Sequence, residues 1–420
     1  MAWTGLATAL NCLGRIEAAI DAYRRAEMLD PALGMATAGR AAALQSVGRH
    51  HEAEPVFRRA LSLMPEDAML RSGFVQTLRA LEQPREAEAQ ARLTILLAPD
   101  IPLGHLALGA ALADQGEVAA AQDAFRAGVA LPPDNPEATL AVGMIRLLLG
   151  DYPAGWQGYQ SRTVAGAGWP EGADLAGKRI NVRPEQGLGD TLQFSRWLPM
   201  LVARGAVVGF DAPAPLRRLL AGLPGVAEGA IQLRPLERPD YSCALLDLGH
   251  LLAIRPAPAA KLPFVDPAAW AERMAPDGRL RVGLAWAGNP AHGNDRARSV
   301  GLAALAPVLA VPNCRFVAVQ PRPAGALPPE IETPGFSDFG DTSGLMAHLD
   351  LVISVDSAPA HLAGALGGPV WVLLAAMPDW RWQLGRADSP WYPSARLYRQ
   401  AWAGDWGAPV AADLARMARR

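Results

Sequence analysis

The sequence predicts an α-helical repeat solenoid followed by an α/β region of two lobes. Three observations predict it. Prolines recur every 34 residues at Pro31, Pro65, Pro99 and Pro133. A stretch rich in glycine and small residues, without any period, follows at 163–177. Beyond it, short β-branched runs alternate with helical stretches, the pattern of βαβ units.

Composition sets the frame. A chain of 420 residues exceeds one ordinary core, so two or three domains are expected. Half the residues are hydrophobic (50%) and 19% are charged, a globular profile. The formal net charge of −2 argues against nucleic acid as a partner, because phosphate binding needs a basic excess. Cys12, Cys243 and Cys314 lie far apart without zinc or redox spacing, and the expectation is three buried, reduced thiols. No run approaches the roughly 20 apolar residues of a membrane span. No basic-then-apolar leader follows Met1, so a cytoplasmic location is expected. The first repeat begins abruptly at Ala2, which leaves open a longer native N-terminus.

The first element is the repeat. Ala19, Ala53, Ala87 and Ala121 keep the same 34-residue period, as do Leu10, Leu44, Leu78 and Leu112. Tyr23, Phe57, Phe125 and Tyr159 supply an aromatic, with a lapse at Ala91. Gly14, Gly48, Gly116 and Gly150 close a turn, and Glu82 stands where the third unit should have its glycine. Each unit reads as two helices. Small alanines allow close approach, the aromatic fills the groove, and proline stops the second helix because it lacks an amide and clashes with the preceding turn. One pair cannot bury its apolar face, so pairs stack. His50, His51 and His105 lack metal-ligand partners and read as structural or surface residues. Residues 1–162 resemble tetratricopeptide repeats, as four full units and a fifth. The fifth departs with Gly155 and Arg162 at alanine positions and is expected to cap the array against the next domain. The resemblance implies a groove for a protein or peptide partner.

After the linker 163–177, an N-terminal lobe is expected over 178–262 and a C-terminal lobe over 263–420. Candidate strands of the first are Arg179–Arg183, Val207–Asp211 and Ala244–Leu248. Those of the second are Arg281–Trp286, Arg315–Val319, Leu351–Val355 and Val370–Leu374. Pro256, Pro258, Pro263 and Pro267 mark a crossover between them. Composition and periodicity alone give two α/β lobes; two Rossmann-like lobes facing across a cleft is the GT-B arrangement, which the motifs must decide.

Three segments carry candidate chemistry. In Arg-Pro-Glu-Gln-Gly-Leu-Gly-Asp-Thr-Leu-Gln-Phe, 183–194, Gly187 and Gly189 permit a tight turn and close ligand approach. Asp190 then stands at a helix start, as a functional carboxylate or an N-cap. In 350–367 a buried strand ends at Asp356 and Ser357, and a helix follows with Pro359 in its first turn and Gly367 at its end. Its free amides suit an anion, and His361 in the first turn is placed to donate to a phosphate. In 282–299 a strand leads to a polar loop with Asn289, Asn294, Arg296, Arg298 and Ser299, where one or both arginines are candidates for a diphosphate. Gln320, after the strand Arg315–Val319, faces the same expected cleft. Trp380, Trp382, Trp391 and Tyr392 read as packing between lobes rather than a nucleobase platform.

The strings Glu-Gln-Gly-Leu-Gly-Asp, Trp-Ala-Gly-Asn-Pro, Ile-Ser-Val-Asp-Ser-Ala-Pro-Ala-His and Pro-Asp-Trp-Arg-Trp together resemble glycosyltransferase family 9, the heptosyltransferase-like family, over about 178–400. The resemblance implies that Asp190 is the base toward an acceptor hydroxyl. It implies that Asp356, Ser357 and His361 lie at a donor diphosphate. Heptosyltransferases usually carry a lysine in the loop after the first strand of the second lobe. Gly293 stands in that neighbourhood, and Arg296 or Arg298 is left to substitute. Without an Asp-x-Asp triplet a metal clamp is not expected, and without a P-loop an ATPase is not expected. The leading expectation is a metal-independent, inverting transferase, needing no cofactor, that moves a hexosyl or heptosyl group from a nucleotide-sugar to a protein held by the repeats. The alternatives are a scaffold with an inactive transferase domain, and a transferase of lipopolysaccharide-core sugars.

Overall fold

The computed structural model describes residues 1–162, 168–256, 261–288, 298–320, 327–400 and 407–419. The chain forms two compact units, one over Met1–Ile145 and the other over Arg146–Gln400 with the C-terminal helix. The division falls inside the segment read as the fifth repeat.

The first unit is the repeat array. Its helix pairs are α1 (Ala2–Cys12) with α2 (Ile16–Leu29), α3 (Gly34–Ser46) with α4 (His50–Leu63), α5 (Ala68–Ala80) with α6 (Pro84–Leu97), and α7 (Pro102–Asp114) with α8 (Val118–Ala130). A ninth helix, α9, spans Pro136–Leu148. Ala19, Ala53, Ala87 and Ala121 are all fully buried, as close helix approach demands. The aromatic packs against the next unit as well as its own. A Cβ on Gly39 would meet Tyr23 at 2.4 Å, and one on Gly73 would meet Phe57 at 3.3 Å. The turn glycines Gly14, Gly48 and Gly116 take φ of +72°, +74° and +78°. Glu82 takes the same left-handed conformation, φ +59°, without the freedom of glycine. Cys12 corrects an expectation. It is exposed, in the last turn of α1, while Cys243 is buried and Cys314 half-buried.

The second unit begins with α10 (Tyr152–Tyr159), which packs on α14 (Asp247–Leu251). Trp156 is 1% exposed, and its indole N–H donates to the Ile254 carbonyl at 2.8 Å. Gly249 admits that ring, since a Cβ there would lie 2.6 Å from it. Arg162 is buried and donates to Glu185 at 2.7 and 2.9 Å and to Asp247 at 2.6 Å. An alanine at this position would leave two buried carboxylates without their cation, so the departure from the repeat has a physical reason.

Among the described residues the N-terminal lobe holds four parallel strands: β1 (Arg179–Arg183), β2 (Val207–Phe210), β3 (Ile231–Gln232) and β4 (Tyr241–Ala244), in the order β3-β2-β1-β4. Helices α11 (Leu188–Phe194), α12 (Leu198–Ala203) and α13 (Arg217–Leu220) lie between them in sequence. The candidate strand Ala244–Leu248 is displaced. The strand ends at Ala244, and the buried residues Leu245 and Leu246 lead into α14. A short apolar run does not by itself distinguish a strand from a buried helix start.

Among the described residues the C-terminal lobe has six parallel strands: β5 (Leu280–Ala285), β6 (Cys314–Ala318), β7 (Ile331–Glu332), β8 (Leu351–Val355), β9 (Val370–Leu374) and β10 (Ala395–Arg399). Their order is β10-β9-β8-β5-β6-β7. Its helices include α15 (Ala306–Leu309), α16 (Phe339–Met346), α17 (Ala358–Leu366) and α18 (Gly407–Met417). Every residue of β8 is buried, as expected of a central parallel strand covered on both faces. In both sheets the order reverses beside the first strand. Open α/β sheets bind ligands at such a switch point, beyond the carboxyl ends of the strands.

Candidate active site

The segments 183–190 and 356–361 each leave the carboxyl end of a strand, β1 and β8 respectively, and the fold brings them together. A Cβ on Gly189 would lie 2.8 Å from His361 Cδ2 and 3.4 Å from Ala358 Cα. Gly189 is therefore required for α11 and α17 to meet end against end. Gly187 serves differently. It is the N-cap residue of α11, and its amide donates to Asp190 Oδ2 at 2.8 Å. Asp190 is thus at the third helical position, reaching back, rather than at the cap itself. The left-handed residue of this turn is Gln186, φ +59°, not a glycine. Gln186 is held by its side chain, whose amide donates to Tyr159 Oη at 2.6 Å.

Asp190 has a second partner. Arg381, in the Pro-Asp-Trp-Arg-Trp segment, pairs with Asp190 Oδ1. Arg381 is 5% exposed, also binds Asp379 at 2.8 Å, and lies over the rings of Trp380 and Phe194 at 4.4 and 4.9 Å. Burial opposes its charge, but Asp379 and Asp190 outweigh it and hold the guanidinium's proton affinity above its ordinary value. Sequence reasoning did not single this arginine out. Its signal was available, since a cation between two tryptophans in a short string needs a carboxylate partner to be buried.

Beneath the turn, Glu185 accepts from Arg162 and from the Leu246 amide at 2.7 Å. This buried triad of Arg162, Glu185 and Asp247 fixes the base of the Asp190 loop to β4 and α14.

Across the cleft, His361 is 5% exposed and held on three sides. Its Nδ1 shares a hydrogen bond with Tyr392 Oη at 2.9 Å, its Nε2 is 3.6 Å from Asp356 Oδ1, and its ring stacks on Trp382 at 5.4 Å. Burial works against the Asp356 carboxylate. Pairing with His361 outweighs burial and leaves Asp356 below its usual value. Ser357 is the N-cap residue of α17, and its hydroxyl donates to the Val355 carbonyl at 3.2 Å.

The remaining candidates divide. Arg298 Nη1 donates to the Asp356 carbonyl at 3.4 Å, so this arginine does reach the β8 end. Gln320 is buried, and its Oε1 accepts from the Trp286 and Ala287 amides at 2.7 and 3.1 Å. It anchors the exit of β5 at the switch point. Asn289, Asn294 and Arg296 lie outside the described residues. Trp380, Trp382, Trp391 and Tyr392 are all buried. Trp380 and Trp391 pack with Trp156, Trp197 and Phe194 in edge, tilted and stacked contacts, and Trp382 and Tyr392 pack on each other, which is a packing role.

Residues 337–402 match the family described as glycosyltransferase family 9 (heptosyltransferase), and residues 2–33 match the tetratricopeptide repeat. The two matches lie near the C-terminus and at the N-terminus of the chain respectively. The family 9 match contains Asp356, Ser357, His361, Arg381 and Tyr392. Protein FlbA of Caulobacter vibrioides is 31% identical over 315 residues, 62% of this chain and 52% of that protein. The chain therefore spans about half the length of this curated relative. Among solved structures, PilW, a type IV pilus biogenesis factor, is 21% identical, with 48% of this chain and 86% of that chain covered and a TM-score of 0.34. TTC0263, a TPR protein of Thermus thermophilus, is 21% identical, with 38% and 87% covered and a TM-score of 0.33. Among the described residues no helix is long and apolar enough to cross a membrane.

Proposed function

We propose that the family 9 domain transfers a hexosyl or heptosyl group from a nucleoside-diphosphate donor to an acceptor hydroxyl, with inversion and without a metal or other cofactor. The observation that carries this reading is the meeting of the Asp190 turn with the start of α17, permitted by Gly189. The free amides of α17, together with His361 and Arg298, receive the donor's diphosphate. Asp190 takes the proton of the attacking hydroxyl. Arg381 holds the carboxylate in place until substrate enters. The repeats hold a protein or peptide acceptor, and the protein works in the cytoplasm.

One observation favours a second reading, a scaffold whose transferase domain is inactive. Both Asp190 oxygens already have partners, in Gly187 and Arg381. Turnover separates the two readings. The full chain is incubated with a panel of nucleotide-sugars, with and without cell lysate, and nucleoside-diphosphate release is followed. The transferase reading expects release that needs lysate and falls about 100-fold or more in Asp190→Asn, the loss of a general base. A scaffold consumes no donor, and Asp190→Asn leaves its partner binding intact.

A further inference from the structure

A cavity of about 140 Å³ lies apart from the Asp190–His361 site, lined by Arg196, Lys261, Gly364, Gly367, Trp391, Pro393 and Ser394. Three of the lining residues carry polar side chains, Arg196, Lys261 and Ser394. Arg196 is 5% exposed, yet its Nη atoms have no hydrogen bond or ion pair among the described residues. Only its Nε donates, to the Gln193 carbonyl at 3.1 Å, and its guanidinium lies over the Tyr392 ring at 5.0 Å. Burial pulls its proton affinity down, as for a cation lacking a counter-charge. Lys261, one of two lysines in the chain, likewise has no ion-pair partner among the described residues. Its side chain folds back on the end of α17, where a Cβ on Gly367 would meet Lys261 Nζ at 2.8 Å. Ser394 Oγ is buried without a hydrogen bond among the described residues.

The helix C-terminus accounts for Lys261, since a cation is favoured there. It does not account for Arg196, which comes from the other lobe and whose burial unpaired is unfavourable. Among the described residues no carboxylate lines the cavity. Two cations and a hydroxyl among the lining residues suit a tetrahedral oxyanion.

We propose that this cavity binds a phosphate-size oxyanion, either free phosphate or the phosphoryl group of a larger molecule. The ion bridges Arg196 after α11, Lys261 in the crossover and Ser394 before β10, and so ties the two lobes together at the crossover. Tyr392 separates the cavity from the candidate active site, with Arg196 on its face and His361 on its hydroxyl.

The test is calorimetric titration of the full chain with inorganic phosphate at constant ionic strength, for the native protein, Lys261→Met and His361→Ala. Lys261 is exposed, so its replacement leaves the fold intact, and Ser394→Ala is a second variant at the cavity. The expected result is saturable binding that weakens about tenfold or more in Lys261→Met, about 1.4 kcal/mol, and persists in His361→Ala. Glycerol 3-phosphate is titrated alongside. If it binds more tightly than phosphate, the ligand is the head of a larger molecule, and if less tightly, the free ion. No saturable binding at millimolar phosphate overturns the proposal. So does equal affinity in Lys261→Met, or loss of binding in His361→Ala alone, which would assign the ion to the donor site.

Discussion

Asp190 and Arg381 join the two lobes of the α/β region as an ion pair, the aspartate from the first turn of α11 and the arginine from the segment after β9. The pair is shielded, with side-chain exposures of 19% and 6%. A partner removed from such a pair leaves an uncompensated buried charge, which costs about 3–5 kcal/mol. Arg381→Met is therefore expected to lower the melting temperature strongly, and Asp190→Asn less, because the amide can still accept from Arg381. The double variant should be less destabilised than the sum of the two, by about 1 kcal/mol or more, since groups in contact couple. Urea unfolding of all four proteins measures the coupling. Strict additivity would mean the two side chains do not meet in solution.

Gly189→Ala tests the contact that builds the site. The added methyl would stand 2.8 Å from His361 Cδ2, and His361 cannot retreat because Trp382 and Tyr392 hold it. Overpacking of this kind costs about 1–3 kcal/mol. The variant is expected to lose stability and donor-induced thermal stabilisation together. Gly187→Ala meets only Asp190 Oδ2, at 3.3 Å, and is expected to be milder. Equal effects at the two glycines would show that the α11–α17 approach is not the constraint.

Glu82→Gly should stabilise the repeat unit. Glu82 carries the turn hydrogen bonds of Gly14, with its amide on the Arg79 carbonyl at 3.0 Å and the Gln83 amide on Leu78 at 2.9 Å. It does so in a left-handed conformation that costs a side chain with a Cβ about 1 kcal/mol. Glycine removes that strain and loses only a solvent-exposed side chain, so a gain of a few tenths to about 1 kcal/mol is expected in chemical denaturation. A loss of stability would mean that the glutamate side chain holds the turn.

The repeats were legible because one proline, one turn glycine, one alanine and one leucine return on a fixed period, and each has a local cause. The strands of the C-terminal lobe were legible because β5, β6, β8 and β9 are short, mostly apolar runs, interrupted only at Arg281, Arg315 and Ser354. The two-residue β3 and β7 were not, since they are too short to carry a pattern and exist only through pairing with β2 and β6. Asp190, Asp356, Ser357 and His361 were legible from strand-turn-helix punctuation. Arg381, Glu185 and Tyr392 were not, because their roles depend on residues 191, 23 and 31 positions away in the chain. Composition does not encode contacts of that range.

Asp350 gives a pH-dependent test. It accepts from the Arg281 backbone amide at 2.8 Å and from its guanidinium at 2.8 and 3.1 Å, joining the starts of β8 and β5. Burial works against its charge, yet the bonds from Arg281 prevail and hold Asp350 below its ordinary value. A carboxylate depressed in the folded state contributes stability that is fully present above its unfolded value, about 3.9, and is lost as pH falls through the lower folded value. Asp350→Asn keeps the shape and removes the charge. The side chain is one-third exposed, so solvent discounts the pair, and a loss of about 1 kcal/mol is expected at pH 7. The difference between native protein and variant should stay constant from pH 7 to about 5, then shrink below about 4 as the native carboxyl takes up its proton. Other carboxylates titrate in the same range, but they are common to both proteins and cancel in the difference. Denaturant unfolding at pH 7, 5 and 3 measures it, and a gap that does not narrow at low pH would assign the effect of the substitution to packing rather than charge.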